Sequence, residues 1–431
     1  MLSLGLDIGT TSISLAVIDK NNRVVDSATL AHDAFIDTPN PWEKLQDAGK
    51  LLNLALDEVK EMCEKHRISC IGITGQQHGI VYLDKDGSIV SPLYTWQDAR
   101  ALRCENGNTY LEQIKEKCGW TLSSGFGLAT HYYNVKNGLL TQNTVCFATI
   151  ADVVAMRLAG RTSPEIEASN AHSLGMFDIE ANNFNMEAVD NCGLDTSLLP
   201  RICKSKIIGY YHEIPVAVAI GDNQASFIGA TGDEGNAILV NVGTGGQISL
   251  CVDRISHYAQ MELRPYPLGG YLLVGASLCG GRTWALTEKF FRETVKAFTG
   301  VDRIAYDGLN SLLDNTKDMG DFPRVSTCFD GTRNDPTKRG SIDNISIDNF
   351  TPGQFAFGIL HGMADELFEM YSACLGEGLA PKSRLIGSGN GLRLNRHLQR
   401  VTEQTFNMRL EMSENVEEAS TGAAIFAKRQ L

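Results

Sequence analysis

Three short stretches of this chain put glycines and hydroxyls where an anion could be held. Leu4-Gly5-Leu6-Asp7-Ile8 alternates like a half-buried strand, and Gly9, Thr10, Thr11 and Ser12 then form a small-residue turn. Ile13, Leu15 and Val17 resume the alternation, so the turn joins two strands, unlike the strand-to-helix turn of a Rossmann unit or a P-loop. Such a turn offers backbone N–H groups and two hydroxyls to a phosphate. Asp7, at the end of the incoming strand, is placed to hold a metal-bound water. Asn241-Val242-Gly243-Thr244-Gly245 repeats the pattern. Gly387-Ser388-Gly389-Asn390-Gly391 ends a further strand, and its glycines would let a flat adenine lie against the backbone. A plain hairpin or a tight strand-to-helix turn is the ordinary role of any one such stretch; the recurrence argues for a nucleotide.

Two glycine turns gripping one nucleotide suit phosphoryl transfer, which needs positioning, a metal and charge stabilisation more than covalent chemistry. A base is also needed. Val216–Ile220 reads as a buried strand ending in Gly221-Asp222-Asn223-Gln224-Ala225, with a helix following. Asp222 there could accept a proton from an attacking sugar hydroxyl; the common alternative is an N-cap aspartate. Gln76, Gln77 and His78 follow another buried strand, at the edge where open α/β sheets bind ligands. Trp96, Gln97, Asp98 and Arg100 surround an aromatic face with polar groups, a mixture suited to a polyol. Ser169-Asn170-Ala171-His172 is a weaker candidate for the same wall, and a lone His or Trp is more often a core residue.

The elements that must carry these residues come in a repeated order. The opening hairpin, a strand at Arg23–Leu30, a helix over Glu43–Lys65 and a strand at Cys70–Thr74 form one βββαβ unit. Leu45, Ala48, Leu52, Ala55, Val59 and Met62 lie at helical spacing. The second unit runs through strands at Ala237–Val242, Gln247–Val252 and Gly270–Gly275, helices at Thr283–Phe298 and Thr351–Leu375, and a strand at Arg384–Ile386. Thr351 and Gln354 read as a capping box with Pro352 at the first helical position. The expected architecture is α/β, two similar domains around an interdomain cleft. Residues 1–213 form the first, 214–416 the second, and a helix within 417–431 packs back across the junction.

Composition narrows the partners. The 431 residues carry a formal charge of −13, which argues against nucleic acid or an anionic membrane surface. The 11 cysteines include no C-x-x-C pair and read as reduced thiols of a cytoplasmic protein. The first residues lack the basic n-region of a signal peptide, and no apolar run is long enough to span a membrane.

These motifs together resemble the FGGY carbohydrate kinases, which share the actin-like, ribonuclease-H-like ATPase fold. The likeness runs through LGLDIGTTS, GITGQQHG, TWQDAR, TIADVVAMRLAG, EASNA, AIGDNQASFIGA, NVGTGGQ, FDGTRNDPTKRG, LIGSGNG and EEASTGAAIFA, nearly the full length. It implies ATP with Mg²⁺ and transfer to a sugar hydroxyl. The resemblance assigns the catalytic base to Asp222 and nucleotide phosphates to Thr10, Thr11, Thr244 and Gly245. It places adenosine near Gly389 and Asn390, and sugar at Gln77, His78 and Asp98. Within the family, GQQHG, TWQD and Ser124–Thr130 are most similar to the sedoheptulokinases, with the xylulokinases next. The family's Lys-x-x-Trp element is replaced by Ala129-Thr130-His131-Tyr132-Tyr133, and the second domain is short.

The expectation is an ATP-dependent ketose kinase. The phosphate and adenosine site comprises Gly9, Thr10, Thr11, Gly243, Thr244, Gly245, Gly387, Gly389 and Asn390. The sugar site comprises Gln76, Gln77, His78, Trp96, Asp98, Asn170 and Asp222, with Asp7 on the metal. Its partners are a small-molecule sugar and ATP, with a homodimer left open. An actin-like ATPase would use the same turns without a sugar wall, and a sugar sensor would have no use for Asp222.

Overall fold

The computed structural model describes residues 1–232, 235–317, 320–332, 335 and 337–431. They form two compact units: Met1–Asp233 with Arg264–Gly270 and Asn415–Leu431, and Glu234–Leu263 with Tyr271–Glu414.

The first unit is built on a seven-stranded sheet in the order Ile207–Tyr211, Ile214–Ala217, Ile68–Gly75, Leu2–Ile8, Ser12–Ile18, Val24–Ala31, with Ile220–Gly221 also paired to Ile68–Gly75. Leu2–Ile8 runs antiparallel to Ser12–Ile18 and parallel to Ile68–Gly75. Leu4, Leu6 and Ile8 are fully buried because both faces are covered. One face is covered by the Ala48–Lys65 helix, which buries Leu51, Leu52, Ala55, Val59 and Met62. The other is covered by the Glu418–Lys428 helix, which lies on the two central strands and on the Asp222–Thr231 helix. That crossing is close because Gly422 has no Cβ to meet the Ala225 carbonyl.

The expected break after 213 falls inside this sheet. Tyr211 pairs with Ile214 across a hairpin, and Val216 pairs with Ile71. The first unit therefore keeps residues 214–233 and the base candidate Asp222, and the terminal helix belongs to it as well. The segment between Gly75 and Ile207 builds a core of its own around Tyr82, Tyr110, Leu128, Tyr132, Phe147, Leu174 and Phe177.

The expected helix over 43–65 begins only at Ala48. Asp47 is its N-cap, accepting from the Lys50 N–H at 2.9 Å, which stops the helix from extending backwards. Leu45–Gln46 is instead the middle strand of a small sheet between Phe35–Ile36 and Leu93–Tyr94.

The second unit repeats the plan. Its sheet contains Tyr271–Ser277, Gly246–Val252, Ala237–Val242, Arg384–Ser388 and Leu410–Met412 in that order. Ala237–Val242 runs antiparallel to Gly246–Val252 and parallel to Arg384–Ser388. The Pro352–Gly376 helix covers the sheet with Ala356, Leu360, Met363 and Leu367. Only half of the capping box forms: Thr351 accepts from the Gln354 N–H, while the Gln354 amide donates to the Lys317 carbonyl instead. The duplicated βββαβ unit thus appears twice with the same strand order and sense.

Candidate active site

In the first unit the Gly9–Ser12 turn is fixed from behind. The Gly9 N–H donates to the Ser12 carbonyl at 2.9 Å, so Gly9 is not the phosphate donor expected of it. Its own carbonyl is held by His32 Nε2 at 3.2 Å. Gln46 Nε2 donates to the Thr10 carbonyl at 2.7 Å, and Gln76 Nε2 donates to Gln46 Oε1 at 2.9 Å. With the carbonyls engaged there, the Thr10 and Thr11 N–H groups, which have no protein acceptor among the described residues, remain for an anion. Trp96, 46% exposed, donates its indole N–H to Thr10 Oγ1 at 3.0 Å.

Asp222 opens the Asp222–Thr231 helix as its first residue. Gly221 is the cap, and no side chain makes the cap bond. The N-cap alternative for Asp222 is therefore overturned. Its Oδ1 accepts from Asn223 Nδ2 at 2.9 Å, and that same amide donates to Gln77 Oε1 at 3.2 Å. Gln77 Nε2 in turn donates to the Ser169 carbonyl at 3.1 Å. Ser169 Oγ accepts the Gly221 N–H at 3.0 Å and donates to the buried Glu167, which is paired with Lys206. The backbone entering Asp222 is thus set by a chain of hydrogen bonds rooted in an ion pair.

Burial raises the Asp222 carboxyl above the usual carboxylate range, against the Asn223 and Gln77 donors and Arg264, which lower it. Asp7 is pushed up to about 7, first by loss of hydration and then by the negative charges of Asp222 and Glu417. Acids raised in this way are common where a proton or a cation is handled.

The Gln76-Gln77-His78 loop is held hard. His78 has a φ of 71°. Its N–H donates to Ser173 Oγ, its Nδ1 to the Ser173 carbonyl at 2.6 Å, and its ring stacks on Phe126 at 4.5 Å. A carbonyl only accepts, so Nδ1 carries the proton. Such strain survives only where neighbours over-determine it. Gln76 and Asn170 are 4% and 1% exposed, and Gln76 Oε1 and Asn170 Oδ1 have no protein partner among the described residues.

Asp98 corrects the expected sugar wall. It is 1% exposed, and its oxygens accept from the Lys44 and Arg100 N–H groups and from Arg100 Nε and Nη2. With four protein donors satisfied, its carboxylate fixes the loop carrying Trp96.

In the second unit the Gly243-Thr244-Gly245 turn is held, among the described residues, by backbone alone. The Gly281 N–H donates to the Gly243 carbonyl at 2.8 Å, and the Gly280 and Arg282 N–H groups to the Thr244 carbonyl at 3.1 Å. The start of the Gly281–Thr299 helix therefore rests on the turn. Gly389 lies beside it with a φ of 81°, and a Cβ there would stand 2.5 Å from the Val242 carbonyl. Asn241 Nδ2 donates to Ser388 Oγ at 2.7 Å. Gly243, Thr244, Gly245, Gly387, Gly389 and Asn390 thus gather at one end of one sheet, with Thr244 and Asn390 exposed.

The family model for the N-terminal domain of the FGGY family of carbohydrate kinases matches residues 2–240. The chain belongs to the FGGY family of carbohydrate kinases. Its activity is accordingly that of an ATP-dependent sugar kinase. It is 25% identical over 478 residues to the sedoheptulokinase of Mus musculus, covering 100% of this chain and 98% of that protein. It is 26% identical over 419 residues to the xylulose kinase of Streptomyces rubiginosus, covering 91% and 80%. A crystal structure of a xyloylose kinase from Brucella ovis matches with a TM-score of 0.83 at 20% identity, covering 99% of this chain and 90% of that one. That likeness shows the two-domain ribonuclease-H-like fold.

One residue of this FGGY kinase escapes a reading of its motifs. Gln46 lies in a segment whose apolar spacing mimics a helix, and only the Asp47 cap signal pointed to a later start. Glu167 and Ser169, inside the EASNA stretch, act through Gly221, which is distant in sequence. In the FDGTRNDPTKRG stretch, Asp330 pairs with Arg282, while Arg333, Asn334 and Pro336 lie outside the described residues. Ala129–Tyr133, in place of Lys-x-x-Trp, sits inside the Gly127–Lys136 helix. All 11 cysteines are free thiols, and no described helix is long and apolar enough to cross a membrane.

Proposed function

We propose that this kinase phosphorylates a ketose, with sedoheptulose as substrate and Asp222 as the base. The observation that carries the reading is the bond of Asp222 through Asn223 to Gln77, which ties a desolvated carboxylate to the strained Gln76-Gln77-His78 loop. In this reading Gln76, Gln77, His78, Trp96 and Asn170 form the sugar wall. The unpartnered Gln76 and Asn170 oxygens suit the hydroxyl donors of a polyol, since a buried acceptor left unmet costs free energy. Asp222 accepts the proton of the hydroxyl that attacks the γ-phosphorus, and a pKa raised by burial makes it a stronger base than an ordinary carboxylate.

Thr10, Thr11, Gly243, Thr244 and Gly245 bind phosphates, and Gly387, Gly389 and Asn390 receive the adenosine. Asp7 suits a divalent cation, because burial first and then the charges of Asp222 and Glu417 raise its carboxyl, and a positive charge would offset both. Mg²⁺ held near Asp7 would supply charge neutralisation at the phosphates.

Sedoheptulose is favoured by the full-length similarity to sedoheptulokinase and by GQQHG with TWQD; the xylulose kinase match makes xylulose the runner-up. The test is coupled ADP release across pentuloses, hexuloses and heptuloses. The expected result is the highest kcat/KM with sedoheptulose. A higher kcat/KM with xylulose would replace the substrate, and ADP release indifferent to every sugar would replace the kinase with an actin-like ATPase.

A further inference from the structure

We propose that Trp96 is a positioning residue for Thr10: its indole N–H turns the Thr10 hydroxyl proton toward the triphosphate while its ring faces the sugar, so one side chain joins the two substrates. This deepens the proposed function and rests on it.

The geometry is a clamp on one residue from two sides. Gln46, 0% exposed, holds the Thr10 carbonyl at 2.7 Å, and Trp96 Nε1 holds its hydroxyl at 3.0 Å. Indole nitrogen is a donor only, so Thr10 Oγ1 must accept, and its own proton is left to donate elsewhere. A hydroxyl that already accepts one hydrogen bond is polarised toward giving the next.

The two clamping residues also belong to one rigid piece. Leu45 pairs with Tyr94 and Gln46 with Leu93. The Lys44 carbonyl accepts from the Thr95 N–H at 3.1 Å and Thr95 Oγ1 at 2.8 Å, and the Lys44 N–H donates to Asp98 at 3.0 Å. Arg100 locks the far side of Asp98 and stacks over Tyr94 at 4.2 Å. The loop that presents Trp96 therefore cannot shift without moving the strand that presents Gln46. A sugar seated on the indole face restrains the donor that orients Thr10, and the phosphate site is completed when the acceptor is present.

The test is a double-mutant cycle on the full chain with Trp96→Phe, which keeps a ring face and removes the N–H, and Thr10→Val, which keeps the shape and removes the hydroxyl. Each single variant is expected to lose about three- to tenfold in kcat, the worth of one hydrogen bond. Trp96→Phe should shift sugar KM less than threefold. The double variant should be no more than twofold slower than Thr10→Val, because both changes remove one interaction. Losses that multiply in the double variant overturn the coupling, as does a Trp96→Phe effect confined to sugar KM. Thermal melts establish that the variants fold. Gln46→Met, which removes the carbonyl clamp from the other side, is the second probe: it should lower kcat and raise ATP KM, and an unchanged enzyme would overturn the clamp. Failure of the sugar-wall reading looks different: Gln77→Ala and Trp96→Ala would leave sugar KM unchanged while the cycle still showed coupling.

Discussion

The two βββαβ units differ most at one matched position. Asp7 and Asn241 are each the penultimate residue of the first strand of their unit, one before its last apolar residue and two before the glycine. Asn241 is neutral and satisfied by Ser388 at 2.7 Å. Asp7 is a carboxyl raised to about 7 amid other acids. The turns that follow differ in the same sense. Side chains from Gln46, His32 and Trp96 hold the first, whereas the second is held by the backbone of residues 280–282 and crowded by Gly389. One turn gathers charge and oriented side-chain donors. The other is shaped by backbone and glycine.

The harshest way to break the comparison is Asp222→Asn. Loss of the base should lower kcat on the order of 10²- to 10⁴-fold, while ADP still raises the melting temperature, because the second unit is untouched. Near-normal turnover would remove the chemistry from the first unit.

Asp7→Asn makes the first turn resemble the second. Activity should fall on the order of 10²-fold. Stability should move the other way. A carboxyl whose folded pKa is raised favours the fold when protonated, so its ionisation costs stability as pH rises from about 4 through 7. The variant should therefore melt higher than the parent at pH 8, and the gain should fade toward pH 4. A lower melting temperature at pH 8 would show that Asp7 carries no such strain.

Gly389→Ala should damage the second unit in a different currency. A Cβ at φ 81° costs about 1–2 kcal/mol and also meets the Val242 carbonyl. The expected outcome is a lower melting temperature and a raised ATP KM with sugar KM unchanged, read by separate titrations. The smallest effect is Asn241→Ala, which loses the Ser388 bond. It should cost about 1 kcal/mol of stability in denaturant melts and should change turnover far less than Asp7→Asn.

Much of this is legible in the sequence alone. The glycine turns were visible because close backbone approach restricts residue type, and the strands because two-sided burial makes continuous apolar runs. The Gly387–Gly391 cluster reads only as a strand-ending glycine run; its place beside the second turn comes from the parallel pairing of Arg384–Ser388 with Ala237–Asn241. Gln46 was hidden because Leu45 and Ala48 fit a helical period that the Asp47 cap interrupts. Asp98 reads as a sugar contact, but its carboxylate grips Arg100, and nearness in sequence says nothing about which way two side chains fold.

By itself the sequence determined the residue types at the turns, the duplicated element order and the presence of an aspartate before a helix, since each follows from local sterics and hydrophobic periodicity. Only the tertiary structure decided that residues 214–233 and the terminal helix join the first unit, that Asp222 is tied to Gln77 rather than spent as a cap, and that Thr10 is gripped by Gln46 and Trp96. Those are pairings between groups far apart in the chain, such as Gln46 with Thr10, 36 residues apart, and Glu417 with Thr29, 388 apart. Which distant groups meet is set by how layers pack, and no local preference encodes it.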